Sequence, residues 1–192
     1  MRAAEAWHAI CFGALAEAHM ARTLVIYFSR TGTTKIVAEA IAKALGADLE
    51  EIVDPTPRFG IVGYLRSGYQ ATTRKLARIE RPLHEPGDYD LVVVGSPVWG
   101  ASLSSPARTY LARHHYHLKA VAFFCTCGGR GGERVLGQMT ELVEKEPAAR
   151  LVLREAEVRG GSAQAKIESF CRALRDAVSV SLPQERQAAA AH

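Results

Sequence analysis

Cysteine is scarce in this 192-residue chain. The four present, Cys11, Cys125, Cys127 and Cys171, are too few for a disulfide scaffold and lack the C-x-x-C spacing of a structural zinc site. A reducing, cytoplasmic setting is the simpler expectation. Long apolar runs are missing too: His, Glu or Arg interrupts every candidate before the roughly 18 residues of a membrane helix, so no span is expected. There is no collagen-like repeat and no disorder-like bias, with 48% hydrophobic and 23% charged residues. The basic residues are scattered among 20 acidic ones instead of forming a stripe, which argues against nucleic-acid binding. The net charge of +4 still permits weak attraction to anionic ligands.

Several catalytic signatures are also absent. No G-x-x-x-x-G-K-[ST] loop or G-x-G-x-x-G turn follows the first strand-like run, and no G-x-S-x-G elbow occurs. A response regulator would need an acid after the third strand, where Gly95 and Ser96 stand. A cysteine phosphatase would need an arginine six residues after its nucleophile, but Gly131 and Glu133 occupy those positions for Cys125 and Cys127. His114, His115 and His117 have no accompanying carboxylate or cysteine and fall at a helix end, where cations suit the dipole, so no metal is expected.

What is present is one domain's worth of alternating strand and helix patterns. Residues 1–22 are Ala-rich and read as a loose N-terminal extension, with Met20 a plausible working start. A signal peptide would use Arg2, the Ile10 to Ala16 segment and Ala14-Leu15-Ala16, but Glu5 and His8 spoil it. Residues 23–180 form the working domain, and 181–192 a polar, Ala-rich tail. Strands are predicted at Thr23 to Phe28, Asp48 to Val53, Asp90 to Val94, Ala120 to Phe124 and Leu151 to Leu153. Helices are predicted from Val37 through Leu45 to the Gly46 stop, and over Gly60 to Leu76, Ser104 to Arg113, Glu133 to Glu144 and Ala165 to Val178. Unbroken apolar strands such as DLVVV are buried on both faces, so the expected fold is α/β, a doubly wound, five-stranded parallel sheet with helices on both faces. Such sheets bind ligands beyond the carboxyl ends of their strands.

Three loops therefore carry the functional question. Ser29-Arg30-Thr31-Gly32-Thr33-Thr34 offers four hydroxyls and a glycine before a helix, which suits a phosphate on the free amides. The plainer alternative is that Thr33 or Thr34 simply caps the helix. Gly95-Ser96-Pro97-Val98-Trp99-Gly100 ends in a large ring on a stiff loop. Trp99 is either a platform for a flat heterocycle or a core residue. Cys125-Thr126-Cys127-Gly128-Gly129-Arg130-Gly131-Gly132 lets backbone approach a ligand closely. Its thiols are either redox groups or merely small strand-end residues, and Arg130 meets an anionic substrate or lies in water.

Together these loops resemble the flavodoxin family, whose members hold flavin mononucleotide (FMN) at the carboxyl edge of a sheet ordered 2-1-3-4-5. TLVIYFSRTGTTKIVAEAIA carries that family's [ST]-x-T-G-x-T phosphate loop. The resemblance implies phosphate binding by Ser29, Arg30, Thr31, Gly32, Thr33 and Thr34. DLVVVGSPVWG implies that Ser96, Pro97, Val98, Trp99 and Gly100 run along the flavin ring, and FFCTCGG that Thr126, Cys127, Gly128 and Gly129 border its other side. Tyr64 or Tyr69 would supply a second aromatic over the ring, or else core packing. Electron-carrying flavodoxins are usually acidic, whereas this chain is basic. The expectation is an FMN-dependent oxidoreductase passing electrons from NAD(P)H to a quinone or similar small acceptor. The alternative is a carrier between redox protein partners, and a third reading is a scaffold that binds another phosphate ligand.

Overall fold

The computed structural model describes residues 21–55 and 76–189. The helix expected over Gly60 to Leu76, with Tyr64 and Tyr69, falls in the 56–75 stretch outside the described residues. The elements run β1 Thr23–Tyr27, α1 Thr33–Leu45, β2 Asp48–Glu51, β3 Leu91–Trp99, β4 Ser102–Leu103 and α2 Ser105–His114, then β5 Ala120–Cys127, α3 Gly132–Val143, β6 Arg150–Arg154, α4 Glu155–Arg159 and α5 Gln164–Ala189. Short 3-10 turns sit at Pro86–Asp88 and His115–His117.

Five strands pair in parallel in the order β2-β1-β3-β5-β6, and β4 folds back antiparallel on β3. Leaving β4 aside, that is the expected 2-1-3-4-5 arrangement. Side chains alternate across the sheet. On one face Val25, Val93, Ala122, Phe124 and Leu153 meet Val37 and Ile41 of α1 and Ile167, Phe170 and Leu174 of α5. On the other Leu24, Ile26, Val92, Val94 and Phe123 meet Tyr110 and Leu111 of α2 and Leu136 and Met139 of α3. Each fully buried large side chain in these layers contributes about 1.5–3 kcal/mol. Gly95 is a requirement of that packing: a Cβ there would lie 2.1 Å from the Phe124 ring.

Two differences from the sequence-based expectation bear on the site. The segments expected as loops after β3 and β5 begin as strand. Ser96 and Pro97 pair with Cys125 and Thr126, which carries both strands past their predicted ends. Pro97 is tolerated because the ladder to β1 has already stopped at Gly95. The chain then reverses through Gly100 (φ 55) and Ala101 (φ 57) into β4, with Val98 opposite Leu103 and Trp99 opposite Ser102. Two successive left-handed residues make the tight hairpin turn that matches strand twist. Helix α5 also continues to Ala189, past the boundary drawn at residue 180.

Candidate functional site

The carboxyl ends of β1, β3 and β5 bring the three segments to one edge of the sheet. After β1 the chain turns back at Ser29, whose Oγ accepts the Gly32 N–H at 3.1 Å. Gly32 is the N-cap of α1 at φ 86, a left-handed conformation that Cβ-bearing residues avoid. No side chain caps α1, so the capping role considered for Thr33 and Thr34 is not what they perform. Thr34 is buried, and its Oγ1 lies 2.8 Å from Thr126 Oγ1 on β5. The pair ties the first loop to the third across 92 residues of sequence. Thr31 is exposed, Ser29 and Arg30 half-buried, and no acid stands in the first turn of α1.

The β3 segment is braced from within. Ser96 Oγ lies 2.8 Å from Ser104 Oγ, next to the start of α2, and donates to its neighbour's carbonyl, Pro97 O, at 2.9 Å. Gln138 Oε1 on α3 accepts from Leu103 N at 2.9 Å and from Arg108 Nη2 at 3.1 Å, which holds β4 against α2 and α3. Trp99 is only 6% exposed. Its ring meets Phe28 edge-on, with centroids 5.4 Å apart and planes at 88°, and the Arg30 guanidinium stands 5.8 Å from its centroid. Arg30 and Phe28, from the first segment, thus fix the ring at the end of the second.

The third segment leaves β5 at Cys127 and exposes Gly128, Gly129 and Arg130. Gly131 (φ 94) then approaches the β3–β4 turn so closely that a Cβ would lie 2.9 Å from Ala101 Cα. Burial pushes the Cys125 and Cys127 thiols above the ordinary range. Cys125 is wholly buried and its Sγ faces Gly132 O at 3.6 Å. Such thiols are weak nucleophiles, in keeping with the plainer reading of both as small strand-end residues.

The structure thus brings all three predicted segments together and divides their residues by access. Thr33, Thr34, Ser96, Trp99, Thr126 and Cys127 are buried, whereas Thr31, Gly100, Gly128 and Gly129 are exposed and Ser29, Arg30, Gly32, Pro97 and Val98 lie between. Sequence reasoning did not single out Phe28, Ala101, Ser104 or Gln138 as site residues. Phe28 closes the first apolar run, Thr23 to Phe28, which is a usable signal; the other three act through contacts that no local pattern announces. The histidines stay apart from this edge: His114 rests on the Tyr110 ring at 4.7 Å and His115 on Tyr116 at 3.8 Å. Among the described residues no group of three or more His, Cys, Asp or Glu is placed to hold a metal ion, and no helix is long and apolar enough to cross a membrane.

A doubly wound sheet with a hydroxyl-lined turn after its first strand defines a protein of the flavodoxin fold. Residues 22–166 match the flavodoxin family, and the chain belongs to it. A flavoprotein from Lactobacillus acidophilus NCFM, solved in complex with FMN, is 26% identical with a TM-score of 0.60, covering 74% of this chain and 99% of its own. A candidate flavoprotein from Bacteroides uniformis ATCC 8492 is 21% identical with a TM-score of 0.64, covering 79% and 98%. Oxidised flavodoxin 2 from Bacillus cereus is 18% identical with a TM-score of 0.52, covering 81% and 99%. The last two show the fold alone. No curated protein matches the chain.

Proposed function

We propose that the chain is an FMN-binding redox protein, acting as an oxidoreductase that takes electrons from NAD(P)H and passes them to a quinone or similar small acceptor. The observation that carries the FMN reading is the uncapped amino end of α1 behind Gly32. Beyond its own chain neighbours, no atom of the described residues lies within 4 Å of where a Gly32 Cβ would stand, and the neighbouring side chains are hydroxyls and a guanidinium instead of acids. That arrangement fits a phosphate dianion. The L. acidophilus relative with FMN supports the same choice.

In this reading Ser29, Arg30, Thr31 and the amides of Gly32, Thr33 and Thr34 hold the phosphate. Pro97, Val98 and Gly100 border one side of the flavin, and Gly128 and Gly129, with open space at their α-carbons, border the other. Ser96, Thr126 and Cys127 keep those walls in place, and Trp99, held by Phe28 and Arg30, backs them. Bound FMN supplies reversible electron and hydride chemistry that no side chain here provides. The protein orients it, excludes water from one side and leaves the glycine edge open to small reactants.

The basic charge, which favours anionic NAD(P)H, supports the oxidoreductase over a carrier that serves only protein partners. Cytoplasmic placement is supported by free Cys125, Cys127 and Cys171. The test is a titration of the purified protein with FMN and with riboflavin, followed by NAD(P)H oxidation with a quinone present. Thr31→Ala removes a hydrogen bond to a charged group, worth about 1.5–3 kcal/mol, and should weaken FMN roughly tenfold or more while leaving riboflavin nearly unchanged. Trp99→Phe should weaken both ligands alike. Equal losses for both ligands in the Thr31 variant would contradict the phosphate assignment, and reduction by a partner reductase alone would leave a carrier.

A further inference from the structure

We propose that Gln138 of α3 is a positioning residue for the flavin ring. In this role, which rests on the FMN reading above, its side chain fixes the slot between the two segments that border the ring.

The β3–β4 hairpin has little of its own to hold it in place. Strand β4 is two residues long and, among the described residues, pairs with β3 alone. A two-stranded ribbon so short is marginal by itself. The backbone N–H of Leu103 on β4 donates to a side chain: Gln138 Oε1 accepts it at 2.9 Å and accepts Arg108 Nη2 of α2 at 3.1 Å. Two N–H donors converging on one atom require an oxygen there, which fixes the orientation of the amide. Gln138 is 6% exposed and Arg108 5%, so water has little access to replace the acceptor. Arg108 N in turn donates to Ser104 O at 2.9 Å. One oxygen thus secures both the returning strand and the first turn of α2.

The place of Gln138 on α3 turns this clamp into a spacer. Helix α3 starts at Gly132, directly after the Gly128 to Gly131 segment assigned to one side of the ring. Gln138 lies within the first two turns of that helix and reaches back to the hairpin assigned to the other side. A single rigid element therefore carries one wall at its start and grips the other with a side chain. The walls already touch at the turn, where a Cβ on Gly131 would lie 2.9 Å from Ala101 Cα and 3.3 Å from Val98 Cγ1. Leu103 and Arg108 both lie outside the phosphate segment 29–34, so loss of the Gln138 acceptor should be felt by the ring and not by the phosphate.

The experiment titrates the full-length protein and its variants with FMN and with riboflavin, and measures amide hydrogen exchange without ligand. Gln138→Met keeps the length of the side chain and removes the acceptor. It should weaken FMN and riboflavin about tenfold each, preserve the ratio of the two affinities, and speed exchange of the Leu103 N–H about tenfold. Gln138→Glu keeps an acceptor oxygen and should restore all three readouts. Gln138→Asn withdraws the amide by one methylene and replaces the Met variant if that protein does not fold. Leu174 is buried on the opposite face of the sheet, so Leu174→Ala should lower stability and leave both affinities unchanged, which separates positioning from stability. Unchanged flavin affinities in the variant lacking the acceptor, a loss confined to FMN, or a Glu variant as weak as the Met one would overturn the role of Gln138 alone. Wild-type protein that binds neither flavin would overturn the FMN reading and this role with it.

Discussion

At the scale of single residues, the most consequential groups are those whose polar atoms lie against apolar neighbours. Thr34 and Thr126 satisfy each other, and Ser96 finds Ser104, so four buried hydroxyls near the site are paired without water. His114 is different. Its ring lies against Tyr110, and burial holds its pKa below the ordinary 6.5 despite the opposing pull of Glu85. A lowered histidine pKa means that the folded state favours the neutral ring. The associated stability is complete above about pH 6.5 and is lost as pH falls through 6.5 towards the depressed folded value, because the unfolded chain takes up the proton first. His114→Gln should therefore narrow the difference in urea midpoint between about pH 8 and about pH 5, since the two proteins differ at that one side chain. An unchanged difference would mean that the His114 environment does not discriminate between charge states.

At the scale of elements, the contact between the third segment and the β3–β4 turn is the joint on which the edge depends. Gly131 sits at φ 94 and Ala101 at φ 57, and a Cβ at position 131 would press on Ala101 within 3.0 Å. Gly131→Ala combines left-handed backbone strain with a clash against backbone, and should cost about 1–3 kcal/mol or move the two turns apart. Equilibrium denaturation measures the first outcome and loss of FMN affinity the second; a variant with neither change would show that the close approach is incidental. The same joint shows why the sequence revealed some of the architecture and not the rest. Apolar runs such as LVVV and AVAFF, and the four-residue recurrence of Val37, Ile41 and Leu45, are local patterns that burial requires, so the parallel strands and flanking helices can be read from them. A two-residue strand such as β4 has no period to read. It exists because Val98 and Trp99 offer it a ladder and Gln138 accepts from Leu103 N. The hydroxyl-rich turn after β1 was legible from composition, but the Thr34–Thr126 bond depends on α1 and β5 meeting in space.

At the scale of the whole molecule, charge is what separates this chain from the acidic electron carriers it resembles. With 24 basic and 20 acidic residues it carries +4, and Arg30 stands in the segment proposed to hold the phosphate and Arg130 in one of the two proposed to border the flavin. A field of that sign raises the local concentration of an anionic reductant and does nothing for a neutral quinone. Salt should therefore act on one substrate alone. Raising ionic strength from about 0.01 M to about 1 M shortens the screening length from about 30 Å to about 3 Å, so the KM for NADPH should rise several-fold while that for a neutral quinone stays level. Replacing Arg130 with Gln should reduce the salt sensitivity of the NADPH KM without altering that of the quinone, because the exposed side chain contributes field and no packing. If neither KM moved with salt, the basic surface would have no part in recruiting the reductant. If turnover appeared only with an acidic redox protein, and fell as salt rose, the same positive charge would be serving a protein partner and the carrier would be the better description.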